Sequence, residues 1–125
     1  MIGLSNSIHL YARPDTKEPL LAFFTGVLGL EVHEVTKAYL HSPEPMYAVT
    51  FSNGASLSME FAEDALSDQQ AERGAWLELR TEDAASLQRK VQEAGLKRVV
   101  HPKTPFFYVQ APGGQVFRIV EGTAS

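Results

Sequence analysis

The order in which helix and turn signals recur is the strongest constraint on this fold. In the first half, Ile8, Leu10 and Ala12 alternate with His9, Tyr11 and Arg13, the period of a strand with two unlike faces. Pro14-Asp15-Thr16 breaks that strand, and a helix is expected from about Pro19, because proline suits a first helical turn. Leu20, Phe24, Val27 and Leu28 make its apolar stripe, and Gly29 ends it. Residues 30–35 read as a strand, and 39–45, with two prolines, as a loop. Strands over 46–51 and 55–61 flank Ser52-Asn53-Gly54, a hairpin signal.

The same signals then return. Residues 75–80 alternate as a strand, and Thr81 is the predicted cap of the helix behind it. Ala84, Leu87, Val91 and Ala94 form that helix's stripe, and Gly95 ends it. Strands follow over 96–101, 106–110 and 116–121, the last two joined by Ala111-Pro112-Gly113-Gly114. Gly95-Leu96 repeats Gly29-Leu30; His9 precedes Gly29 by 20 residues, and Trp76 precedes Gly95 by 19. Ser58 and Arg118 each lie four residues past the hairpin glycines Gly54 and Gly114. The chain of 125 residues is therefore expected to be one α+β domain, 1–125, of two tandem β-α-β-β-β modules. The modules span about 5–61 and 75–121, with a polar linker over 62–74 that carries a short surface helix. One helix cannot cover both faces of a four-stranded sheet. The two modules are expected to place their helices on one side and to curl as a mixed sheet around a cup.

Composition narrows the function classes. With 44% hydrophobic and 21% charged residues the chain is an ordinary folded domain, and no apolar run reaches the ~18 residues of a membrane span. No membrane association is expected. The start lacks a basic segment followed by an apolar one, and no cysteine is present, so disulfides, thiolate nucleophiles and Cys-ligated metals are excluded. A cytoplasmic setting is expected. A net charge of −4 and a pI near 5.5 argue against nucleic acid as a partner.

Phe23-Phe24-Thr25-Gly26-Val27-Leu28-Gly29-Leu30-Glu31-Val32 resembles the helix-to-strand signature of the vicinal oxygen chelate superfamily. That superfamily includes glyoxalase I, bleomycin-resistance proteins, fosfomycin-resistance enzymes and extradiol dioxygenases. His9 matches the histidine that opens the first strand in many members, and 111–121 resembles the closing turn and strand. The resemblance covers nearly the whole chain and implies the same two-module fold. It also implies four inward positions for divalent-metal ligands, which map here to His9, Ser58, Trp76 and Arg118. Only His9 is a competent ligand, since an indole offers no lone pair and a guanidinium is a permanent cation. The expected reading is a site without metal or other cofactor. An alternative divalent-metal site would use His9, Glu60 and Glu78, because side chains two apart on a strand share a face.

The expected ligand-binding wall holds His9, Tyr11, Ser58, Glu60, Trp76, Glu78 and Arg118, with Val116, Val120 and a possible contribution from Tyr47, Phe106 and Tyr108. Leu57, Met59, Phe61, Leu77, Leu79, Phe117 and Ile119 are expected to face the helices. His33, His41 and His101 read as surface or loop residues. Two functions follow. One is a metal-independent binder of a small aromatic or anionic compound, of the bleomycin-resistance kind and expected as a homodimer. The other is a glyoxalase- or dioxygenase-like enzyme, a lyase or isomerase, using a displaced metal or none, with His9 and Glu60 as catalytic candidates.

Overall fold

The computed structural model describes residues 1–35 and 45–123. The expected loop over 39–45, apart from Pro45, and His41 with it, lie outside these residues. The first half runs β1 (Ser7–Ala12), a 3₁₀ turn (Pro14–Thr16), α1 (Lys17–Ala22), β2 (His33–Val35), β3 (Met46–Thr50) and β4 (Ser56–Phe61). A short α2 (Asp68–Ala71) follows, capped by reciprocal Ser67 and Gln70 side-chain bonds. The second half runs β5 (Trp76–Thr81), α3 (Ala84–Glu93), β6 (Lys97–Val99), β7 (Phe107–Gln110) and β8 (Val116–Glu121).

Each half forms its own four-stranded mixed sheet, in the orders β1-β4-β3-β2 and β5-β8-β7-β6. In both, the first strand runs parallel to the last, and the remaining pairs are antiparallel. The architecture is the expected pair of β-α-β-β-β modules. Among the described residues no strand pair joins the two sheets, so they are not closed into a single curled one.

Local differences from the sequence reading have local causes. The first helix is α only to Ala22; Phe23–Val27 winds as a π turn, where Leu28 N–H reaches Phe23 O at 3.0 Å. Thr25 Oγ1 donates back to Leu21 O at 3.0 Å, and Gly26 is a weak helix former, both of which loosen this turn. In the second half Asp83, not Thr81, caps α3, its carboxylate accepting from Ser86 N–H at 3.0 Å. Thr81 is the last residue of β5.

One core unites the halves. Leu57, Met59 and Phe61 of β4, Phe117 and Ile119 of β8, and Leu20, Phe23 and Phe24 of the first helical segment belong to the same buried cluster. Phe117 stacks on Phe23 with ring centroids 5.6 Å apart and meets Phe24 edge-on at 6.4 Å. Leu77 and Leu79 pack against that cluster from β5. Strand alternation then directs His9, Ser58 and Glu60 of one sheet, and Glu78 and Arg118 of the other, away from the core.

Candidate functional site

The outward face of the first sheet is built on the β1–β4 ladder, which sets His9 opposite Ser58 and Tyr11 opposite Glu60. His9 Nδ1 lies 2.6 Å from Ser58 Oγ, and His9 Nε2 lies 3.1 Å from Glu60 Oε1. A carboxylate only accepts, so Nε2 carries the proton in the neutral ring and Nδ1 accepts from the serine hydroxyl. The hydroxyl's other neighbour, Ile8 O, is farther, at 3.4 Å. Tyr11 meets the imidazole edge-on at 4.9 Å. These four residues form one continuous cluster, with the His9 side chain one-third exposed.

The second face repeats the geometry with different chemistry. The β5–β8 ladder sets Glu78 opposite Arg118, and Tyr108 lies across from Arg118 on β7. Arg118 Nη2 donates to Glu78 Oε1 at 2.8 Å, while Arg80 donates to the other carboxylate oxygen at 2.9 Å. The Arg118 guanidinium lies 4.7 Å from the Trp76 ring and 4.1 Å from the Phe106 ring. Its Nε is buried without a hydrogen-bond partner. Tyr108, 2% exposed, sits at the centre, touched by Trp76 at 5.8 Å and His101 at 4.7 Å between ring centroids. With Val99 and Val116 it forms a second small buried cluster.

Charge follows from this packing. The bond from Arg80, opposed by partial burial and aided by Arg118, holds the Glu78 carboxyl below its ordinary value of 4.5. A hydrogen bond to Tyr108, also opposed by burial, and then the pairing with Glu78 raise the Arg118 guanidinium further. Arg118 is a fixed cation.

The register corrects several positions. Glu78 is the third residue of β5, as His9 is of β1, and each faces the third residue of its module's last strand. Trp76, at the start of β5 opposite Val116, is therefore not the counterpart of His9. Gly29 follows His9 by 20 residues and Gly95 follows Glu78 by 17; the first half holds the extra 3₁₀ turn, which offsets any count from the glycine. Tyr47 pairs with Met59 and stacks edge-on with Phe61 at 6.1 Å, with Lys17 over its ring. It belongs to the helix side and not to the wall. His101 is not a free loop residue, since its ring rests on Tyr108. His33 is exposed, 4.0 Å from Glu31. Arg80 pairs with Glu78, as charge pairing of the outward carboxylates with Arg118 and Arg80 leads one to expect; the role of His101 escaped the sequence because it lies at no repeated position.

Among the described residues, the His9–Ser58–Glu60 set and the Trp76–Glu78–Arg118 set make no hydrogen bond, ion pair or ring contact with each other. A cleft of about 590 Å³ is bounded by Tyr11, Glu60, the linker at Leu66 and the second half at Ala75 and Gln115. Trp76, Glu78 and Arg118 do not line it. The convergent polar groups lie on the two faces, and of them only Tyr11 and Glu60 reach this cleft. A divalent metal fits this donor set poorly. Among the described residues no three His, Asp or Glu side chains gather, and Glu78 is spent on two arginines.

No helix of the described residues is long and apolar enough to cross a membrane. No curated protein matches the sequence. Solved structures do. The fosfomycin resistance protein FosX of Listeria monocytogenes, solved with Mn(II) and sulfate, superposes with a TM-score of 0.71 at 16% identity, over 98% of this chain and 95% of that one. FosX of Mesorhizobium loti gives 0.68 at 16% identity, over 98% and 94%. The antibiotic-binding protein TnmS3 of Streptomyces sp. CB03234 gives 0.62 at 16% identity, over 98% and 100%. At these identities the likeness establishes the fold alone. The family model of the glyoxalase/bleomycin resistance protein/dioxygenase superfamily matches residues 9–115, and the chain belongs to that superfamily.

Proposed function

We propose that this protein binds a small aromatic or anionic organic compound without a metal, on the face carrying Trp76, Glu78 and Arg118. The observation that carries this reading is the guanidinium held between two aromatic rings. Trp76 is 41% exposed and offers a broad surface on which a planar ligand stacks. Arg118 keeps N–H donors beyond the one given to Glu78, and a carboxylate or phosphonate oxygen accepts from them. Antibiotic binding by the neighbour TnmS3 supports this choice of function on the same fold. His9, Tyr11, Ser58 and Glu60 belong to the wall when the two faces are brought opposite one another. Exposed Tyr11, Trp76 and Phe106 favour a homodimer in which a second copy closes the binding face around the ligand, and the absence of cysteine favours a cytoplasmic setting.

Trp76 is the sole tryptophan, so its fluorescence reports the site directly. Titration with aryl carboxylates and arylphosphonates is expected to change that emission saturably in the wild type, and only at much higher ligand concentration in Arg118→Ala. A full panel that neither changes the emission nor raises the melting temperature defeats the reading.

A second reading is a lyase or isomerase acting through a displaced divalent metal or none. The His9–Glu60 pair and the Mn(II)-bound FosX neighbour favour it. Metal analysis of protein purified without chelator separates the two. Stoichiometric metal lost in His9→Ala supports the enzyme.

A further inference from the structure

The bonding of His9 carries an inference separate from the binding face. Both ring nitrogens are occupied, Nε2 by Glu60 and Nδ1 by Ser58. The imidazole therefore cannot take a proton from an outside molecule without first losing a partner. The one hydroxyl it can deprotonate in place is that of Ser58, 2.6 Å away. Glu60 fixes the tautomer and stabilises the imidazolium that forms. A nucleophile, a base and a third group that orients the base are the parts of an activated serine, whatever the fold that carries them. We propose that Ser58, His9 and Glu60 form a nucleophilic site that accepts acyl groups from activated esters.

The step balances without metal or cofactor. Ser58 Oγ bonds to the ester carbonyl carbon while its proton passes to His9 Nδ1. The carbonyl electron pair shifts to oxygen and returns to expel the alcohol or phenol oxygen, which takes the proton from His9. Water then cleaves the Ser58 ester by the same route, releasing a carboxylic acid and restoring the hydroxyl. The residue facing Ser58 on its other side is Ala48, whose single methyl group is the smallest side chain an acyl group would meet there. Ser58 lies mid-strand between β1 and β3, where neighbouring strands engage its backbone. That position gives no free N–H pair to hold an oxyanion, so slow, near-stoichiometric acylation is expected rather than fast turnover.

The probe is p-nitrophenyl acetate, with nitrophenolate release followed optically and the acetyl group located by peptide mass spectrometry. The wild type is expected to take one acetyl group on Ser58, and Ser58→Ala none. His9→Gln is expected to slow acetylation about 100-fold, the scale of a lost general base. Acetyl groups confined to Tyr11, lysines or the N-terminus, or a rate unchanged in His9→Gln, overturn the proposal. Should Ser58→Ala fail to fold, the acetyl position mapped in the wild type still decides it. Trp76 emission titrated with aryl carboxylates is a separate readout on the wild type, so failure of this proposal and failure of the binding reading are told apart.

Discussion

The two sheets are built alike and present opposite chemistry. The third residues of the paired outer strands are His9 and Ser58 in the first half, and Glu78 and Arg118 in the second. In the first half a titratable ring links a hydroxyl to a carboxylate, an arrangement suited to moving a proton. In the second a carboxylate ties two guanidiniums, one of them between aromatic rings, an arrangement suited to holding charge in place. The parallel ladder fixes where a side chain stands; its identity alone decides what that place does. A repeated scaffold need not repeat a function.

Both faces rest on one core, and the largest expected effect concerns that core. Phe117 joins the halves through Phe23 and Phe24, so Phe117→Ala should lower stability by about 3–5 kcal/mol. Denaturant melts followed by Trp76 emission and by far-UV circular dichroism should still coincide in one transition; separate midpoints would mean the halves are independent. Removing the fixed cation comes next. Loss of a charged hydrogen bond in Arg118→Ala should weaken binding of an aryl carboxylate about 10- to 100-fold by calorimetry. Unchanged affinity would remove the second face's distinct role.

The hairpin turns offer a smaller contrast. A Cβ at Gly114 would stand 2.7 Å from the Ala71 Cβ of α2, whereas one at Gly54 would meet nothing within 4 Å. Both glycines have positive φ, so either substitution to alanine carries strain of about 1–2 kcal/mol. Gly114→Ala should be worse than Gly54→Ala by a further ~1 kcal/mol or more in urea melts. Equal losses would mean that α2 yields freely.

The smallest effect lies in acid. Glu78 loses its proton more readily folded than unfolded, so the folded protein binds fewer protons there. Its contribution is complete above the ordinary carboxylate value of 4.5 and fades as pH falls through the lower folded value. Wild type should therefore exceed Glu78→Gln in stability near neutrality and converge on it in acid. A gap independent of pH would mean that the carboxylate's charge is not what holds the arginines.

Much of the site was legible in strand alternation. Ser58 and Glu60 had to share a face, as did Glu78 with Trp76, because successive side chains alternate. Tyr47 is different. Its face depends on how β3 registers against β4 through the Ser52-Asn53-Gly54 turn, and one residue of slip exchanges the two faces. The distance to the glycine pairs Trp76 with His9, but the 3₁₀ turn between His9 and Gly29 has no counterpart in the second half and shifts that count by three. His101 carried no signal, because only the folded loop lays its ring on Tyr108.

What the amino-acid order determined by itself was local: where strands alternate, where the helices stop at Gly29 and Gly95, and that the whole pattern occurs twice. Backbone sterics and burial of one apolar stripe act over a few residues, so they are written in adjacent letters. The tertiary structure decided which residues stand opposite one another, that Ser58 and Glu60 close on the two nitrogens of His9, and that Arg118 lies between Trp76 and Phe106. Those pairings join residues 12 to 51 positions apart along the chain, and they are set by ladder register and shared core packing, which no short stretch of sequence contains.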